Sequence, residues 1–106
     1  MAWGYLLVAG LLEIVWAYSM KLSDGFSRPG YSAITIVAMI LSFGLLALAM
    51  KSLPLGTAYT VWTGIGAVGA FILGVVWLGE AATVARVGAA MLIIAGLVLM
   101  KVSTPA

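Results

Sequence analysis

The sequence predicts an all-α membrane protein with four transmembrane helices per chain. Three observations carry this. Of 106 residues, 65% are hydrophobic and 8% are charged, with a mean hydropathy of +1.26. A soluble domain of this length cannot hide so much apolar surface, so the solvent is lipid. The charges divide the chain into four apolar runs joined by short loops. One acidic residue, Glu13, stands alone inside the first run.

The first span covers about residues 2–20, and Glu13 is its only charge. At about 1.5 Å rise per residue, Glu13 lies roughly 3 Å from the middle of that span. A central acidic residue costs roughly 2.5 to 3.5 kcal/mol on insertion scales, so its presence points to a proton or cation site facing protein or water. The bland alternative is a glutamate paired with a neighbouring helix. Gly10, Trp16, Ala17 and Met20 share its helical stripe, and Gly10 and Ala17 leave space that a ligand or a second helix would require. Trp16 reads equally as a site donor or as an interfacial aromatic. Trp3 and Trp77 lie nearer span ends and read as interfacial.

The second span, about 30–50, is apolar apart from Ser32, Thr35 and Ser42. A mid-span serine such as Ser42 can simply bond its own i−4 carbonyl. The third span, about 55–78, holds Tyr59, Trp62, Thr63 and Gly66 on what reads as one face. Polar aromatics at that depth need partners, and Glu13 is the one anion within the spans. Gly64, Gly66 and Gly69 also match a G-x-G-x-x-G dinucleotide pattern, but no strand precedes them and no βαβ unit fits. In a transmembrane helix they point to close helix contact and a flexible point at Gly64 and Gly66. The fourth span, about 84–102, carries a small-residue seam of Ala85, Ala89 and Gly96, read as the dimer contact. Residues 1–106 thus form a single four-helix domain.

The loops have turn chemistry. Asp24-Gly25 and Pro29-Gly30 flank the first connection, Pro54 opens the third helix, and Asp24 and Glu80 read as solvated. Lys21, Arg28 and Arg86 face one side, and Lys51 and Lys101 the other. So small a bias leaves two readings: insertion one way for reasons the count misses, or dual topology, with copies facing both ways. Four helices enclose an aqueous site poorly, so at least a dimer is expected. An antiparallel pair reproduces the inverted repeat of larger transporters.

Other classes are disfavoured. There is no cysteine or histidine, hence no disulfide, thiol chemistry or histidine-based metal site. Five scattered basic residues make no nucleic-acid patch. The amino-terminal stretch lacks the basic n-region of a signal peptide. No cofactor and no enzymatic activity are expected. A structural subunit with Glu13 paired to a partner protein remains an alternative, as does, more weakly, an ion channel.

The mid-helix Glu13, four short spans, Lys21-Leu-Ser-Asp-Gly-Phe-Ser-Arg28 and Pro54-Leu-Gly-Thr-Ala-Tyr59-Thr-Val-Trp62-Thr-Gly-Ile-Gly66 together resemble the small multidrug resistance transporters over essentially the whole chain. Glu-x-x-Trp at Glu13 and Trp16, with Lys51-Ser-Leu-Pro-Leu-Gly-Thr-Ala-Tyr59, is similar to the guanidinium exporter branch. Polyaromatic drug exporters usually have glycine at the position of Trp16. The resemblance implies an antiparallel homodimer in the bacterial inner membrane that exchanges protons for guanidinium-like small cations. Glu13 of both subunits would bind substrate and proton. Ser42, Trp16 and Trp62 would hold the carboxylates, Tyr59 would gate the site and Gly10 would leave room for the ligand. A planar, donor-only guanidinium suits carboxylate oxygens, and protons and cation would compete for the same charge. Two positions depart from the pattern: Thr60 stands where the branch commonly shows alanine, and Ala89 where the seam often has glycine. The Thr60 departure raises a broader quaternary ammonium or cationic drug exporter as the alternative.

Overall fold

The structure, a computed structural model, describes residues 1–104. Four helices follow in order: α1 Ala2–Leu22, α2 Pro29–Ala49, α3 Leu55–Trp77 and α4 Val84–Ser103. Each is long and apolar enough to cross a membrane. A 21-residue helix at about 1.5 Å per residue matches the roughly 30 Å hydrocarbon core.

Local chemistry sets the helix ends. Pro29 sits at the first position of α2, where its missing N–H is no loss. Pro54 immediately precedes α3 in an extended conformation. Thr83 caps α4, its hydroxyl oxygen accepting from the Arg86 N–H at 3.2 Å, one of the otherwise orphaned donors of the first turn. α1 runs past residue 20 to Leu22 and closes on Ser23, which is fully buried. The Ser23 hydroxyl donates to the Met20 carbonyl at 2.6 Å and accepts from the Phe26 N–H at 3.0 Å. Around it Asp24, Gly25 and Phe26 all take positive φ.

The third loop departs from the sequence expectation that Glu80 is simply solvated. Gly79, at φ +70°, folds the chain back so that the Glu80 N–H bonds the Gly74 carbonyl at 2.9 Å. The Glu80 carboxylate lies over Gly74 and pairs with Arg86 at 3.4 Å. Arg86 also donates to the Ala81 carbonyl at 2.6 Å and sits 5.2 Å from the Phe71 ring centroid. Asp24 is exposed.

α1 is the hub. It packs along both α2 and α3, while the backbone of α4 comes close to that of α3 alone. The small core comprises Leu6, Ala9, Ala49, Leu53, Ala58, Val61 and Trp62, and α4 contributes no buried residue. The chain is a slab of 43 × 34 × 16 Å. Large apolar side chains stay open on every helix, including Leu11, Ile40, Ile72 and Leu92, as lipid or a second copy permits.

Close approach of the helices rests on missing Cβ atoms. A Cβ on Gly69 would strike Ile14 of α1, and one on Gly64 would strike Leu97 of α4. The α3 glycines therefore serve helix contacts on two sides, the close-packing half of the sequence reading.

Candidate functional site

The site is built where α1, α2 and α3 meet. Glu13 is half-buried on α1, and its carboxylate rests on the bare Cα of Gly66; an added Cβ there would overlap it. Its Oε1 atom is buried and has no hydrogen-bond partner among the described residues. Such an atom is the arrangement that a ligand or a proton would complete, because a buried polar group without a partner forfeits its hydration for nothing. One helical turn further on, the indole Nε1–H of Trp16 is likewise buried and unpartnered. An acceptor and a donor on the same face of α1 thus both await a partner.

Beside them stands a fully satisfied polar lock. Ser42 is completely buried on α2. Its hydroxyl donates to the Ala9 carbonyl of α1 at 2.7 Å and accepts from the Trp62 indole of α3 at 2.9 Å. This corrects two expectations. Ser42 does not bond its own i−4 carbonyl, and Trp62 donates to Ser42 rather than to Glu13. The cause is helix phase: Ala9 faces α2 in the core, so its carbonyl reaches Ser42 across the interface. One hydroxyl ties three helices together. Ser42→Ala would orphan the Trp62 N–H and is expected to cost about 1–3 kcal/mol, measurable as a lower unfolding midpoint in detergent while helical content is kept.

Aromatic rings line the same region. Trp16 meets Phe43 edge-on at 6.3 Å, Phe43 meets Trp62 at 5.7 Å, and Trp62 meets Tyr59 at 5.6 Å between centroids. Sequence reasoning passed over Phe43. Its signal was available: it is the only aromatic residue of α2 after Tyr31, next to Ser42. Tyr59 stays 47% exposed, so its ring is on the open side of this row.

Other expected site residues lie elsewhere. Thr63 is exposed and borders a shallow groove toward Ile93 of α4. It follows Trp62 directly, about 100° further round the helix, and stands with Tyr59 on the open edge of the stripe whose buried side holds Trp62. Gly10 leaves no ligand space within the chain, because Ile65 of α3 fills it; the second-helix reading of that gap is what is found. Ala85, Ala89 and Gly96 are exposed on α4. A Cβ on Gly96 would meet nothing within 4 Å, and Ala89 edges a cavity of about 170 Å³ against α3. Trp3 and Trp77 lie near helix ends, Trp77 tilted by 59° against Tyr18 at 5.5 Å between centroids and 63% exposed.

Four membrane-spanning helices around one intramembrane acid define a multi-pass membrane protein with a polar site at mid-depth, the organisation of a small transporter. Residues 1–94 match the family model described as Small Multidrug Resistance protein, and the chain belongs to that family of bacterial inner-membrane transporters. It is 58% identical over 104 residues to a protein of Escherichia coli (strain K12) named guanidinium exporter, covering 98% of this chain and 99% of that one. Proteins of the same name from Yersinia pseudotuberculosis and Salmonella typhimurium are 59% and 56% identical. Those matches cover 98% and 97% of this chain, and 100% and 98% of theirs.

Proposed function

We propose that this protein exports guanidinium and small guanidinyl cations in exchange for protons, as an antiparallel homodimer with a paired Glu13 site and alternating access. It carries out transport and no covalent chemistry. The observation that carries the reading is the buried, unpartnered Glu13 oxygen lying against Gly66. Support comes from relatives named guanidinium exporter at 56 to 59% identity over nearly the full chain.

The chemistry follows from charge. A carboxylate away from bulk water is stabilised by a proton or by a donor-rich cation, and one occupant removes the need for the other. Guanidinium offers in-plane N–H pairs to carboxylate oxygens. Its faces suit aromatic rings, which Trp16, Phe43, Trp62 and Tyr59 supply. A slab 16 Å thick encloses no chamber by itself, and a second copy facing the open side would bring two Glu13 carboxylates together. The exposed seam of Ala85, Ala89 and Gly96 offers the copies a close contact. Movement at Gly64 and Gly66 would change which side the site faces.

The relatives' names support guanidinium over the broader drug-exporting reading. Thr60, the residue that raised it, is exposed on α3 and borders the same shallow groove as Thr63, so its hydroxyl does not alter core packing. The test is substrate-driven proton flux in proteoliposomes containing the purified protein alone, with a panel of guanidines, quaternary ammonium ions and aromatic cations. Flux with guanidinium and small guanidines is expected. Flux confined to aromatic or quaternary ammonium ions would replace this function with the broader one, and silence across the panel would return the structural-subunit reading.

A further inference from the structure

Away from Glu13, the backbone of α4 packs close to α3 and not to α1, leaving a membrane-facing groove between α1 and α4 with α3 as its floor. Near the end that holds the start of α1 and the last turn of α4 it widens to a cavity of about 430 Å³. Its walls are Gly4 and Leu7 of α1, Ile65 of α3 and Leu97 of α4, and at its mouth stand Trp3 and Lys101. The Lys101 ammonium lies 4.6 Å from the Trp3 ring centroid, a cation–π contact that fixes the charge beside the groove. An ammonium has three donors, so the ring leaves others for an acceptor.

We propose that this groove seats an acyl chain of an anionic phospholipid whose phosphate is held by Lys101. The occupant follows from the surroundings. The groove walls are apolar and the four helices are membrane-spanning, so hydrocarbon is the available filler. A cation in the last turn of α4 lies at headgroup depth, where anionic lipid is its natural counterpart. The opposite end of the α1–α4 interval shows the contrast. There a cavity of about 330 Å³ is bordered by Lys21 and Arg86, but Glu80 also stands in its wall and pairs with Arg86. A carboxylate thus already occupies the place of an outside anion. Among the described residues no carboxylate pairs with Lys101 in this way.

Lipid retention by the purified full chain, read by native mass spectrometry, tests this. Phosphatidylglycerol and phosphatidylcholine would be titrated separately into detergent-solubilised protein. A preference for phosphatidylglycerol of about fivefold is expected, the size of one cation's effect at an anionic surface. Lys101→Gln should bind both lipids equally. Gly4→Phe, placed where an added Cβ meets nothing within 4 Å, should fill the groove and reduce retention of both. Undiminished preference in Lys101→Gln, or equal binding of the two lipids by the parent protein, would overturn the proposal. So would loss of the dimer in Gly4→Phe, because the groove would then be a contact between copies. If Gly4→Phe does not fold, Lys101→Gln alone decides.

Discussion

Glu13→Gln is expected to reduce substrate-driven proton flux to the level of protein-free liposomes while leaving the helical spectrum and the oligomeric state unchanged. Glutamine keeps the shape of the side chain and removes the charge. It still fits above Gly66, because the space there is set by the missing Cβ and not by an ion pair. No salt bridge to Glu13 exists among the described residues, so neutralising it strands no cation, the usual reason such a change unfolds a protein. Removing the charge from a mid-membrane position is neutral or favourable for stability. Transport is another matter, since an amide neither takes up a proton nor balances a guanidinium. Glu13→Asp separates charge from reach: it keeps the carboxylate but withdraws it by one methylene from Gly66, and activity between parent and Glu13→Gln is expected. Parent-level flux from Glu13→Gln would remove the carboxylate from the mechanism. Unfolding of Glu13→Gln would instead make the residue structural.

How much of this was legible in the chain depends on whether the cause was local. The four spans were, because charges cluster at their ends and each run has bilayer length. Helix starts at Pro29, Leu55 and Val84 follow from proline and threonine placement. The isolation of Glu13 needed no structure. What was not legible depends on helix phase, which nothing local specifies. Ser42 has an acceptable bond to its own helix, and only the approach of α1 offers it the Ala9 carbonyl instead. Gly10 reads equally as ligand space or as a helix contact until α3 presents Ile65 to it. Thr63 belongs to the same broad helical stripe as Tyr59 and Trp62, and only packing decides that Trp62 is buried while Thr63 stays on the open edge. The Glu80–Arg86 pair spans six residues across a non-helical turn that only the positive φ of Gly79 closes.

Two glycines on the α1–α3 interface should fail in different ways when each becomes alanine. At Gly10 the new methyl would lie 2.6 Å from Ile65 Cγ2 and 2.8 Å from its Cβ. Isoleucine is β-branched and nearly fixed at χ1 in a helix, and its Cβ moves only with the backbone. α1 and α3 must therefore part, at a cost of about 1–3 kcal/mol for overpacking, and the unfolding midpoint in detergent should fall. At Gly66 the three atoms nearest the new methyl are Oε1, Cδ and Cγ of Glu13, all on one flexible side chain that can swing aside by rotating its own bonds. Alanine also favours the helix by up to about 1 kcal/mol over glycine. Stability of Gly66→Ala should stay near that of the parent, while the carboxylate loses its seat. Transport should drop by about tenfold or more, equivalent to about 1.4 kcal/mol on the barrier. Gly10→Ala should thus lose stability first, and Gly66→Ala activity first. A Gly66→Ala protein that unfolds as readily as Gly10→Ala would mean that the backbone, and not the Glu13 side chain, fills the space beside Gly66. One that transports at the parent's rate would mean that the carboxylate works without resting there.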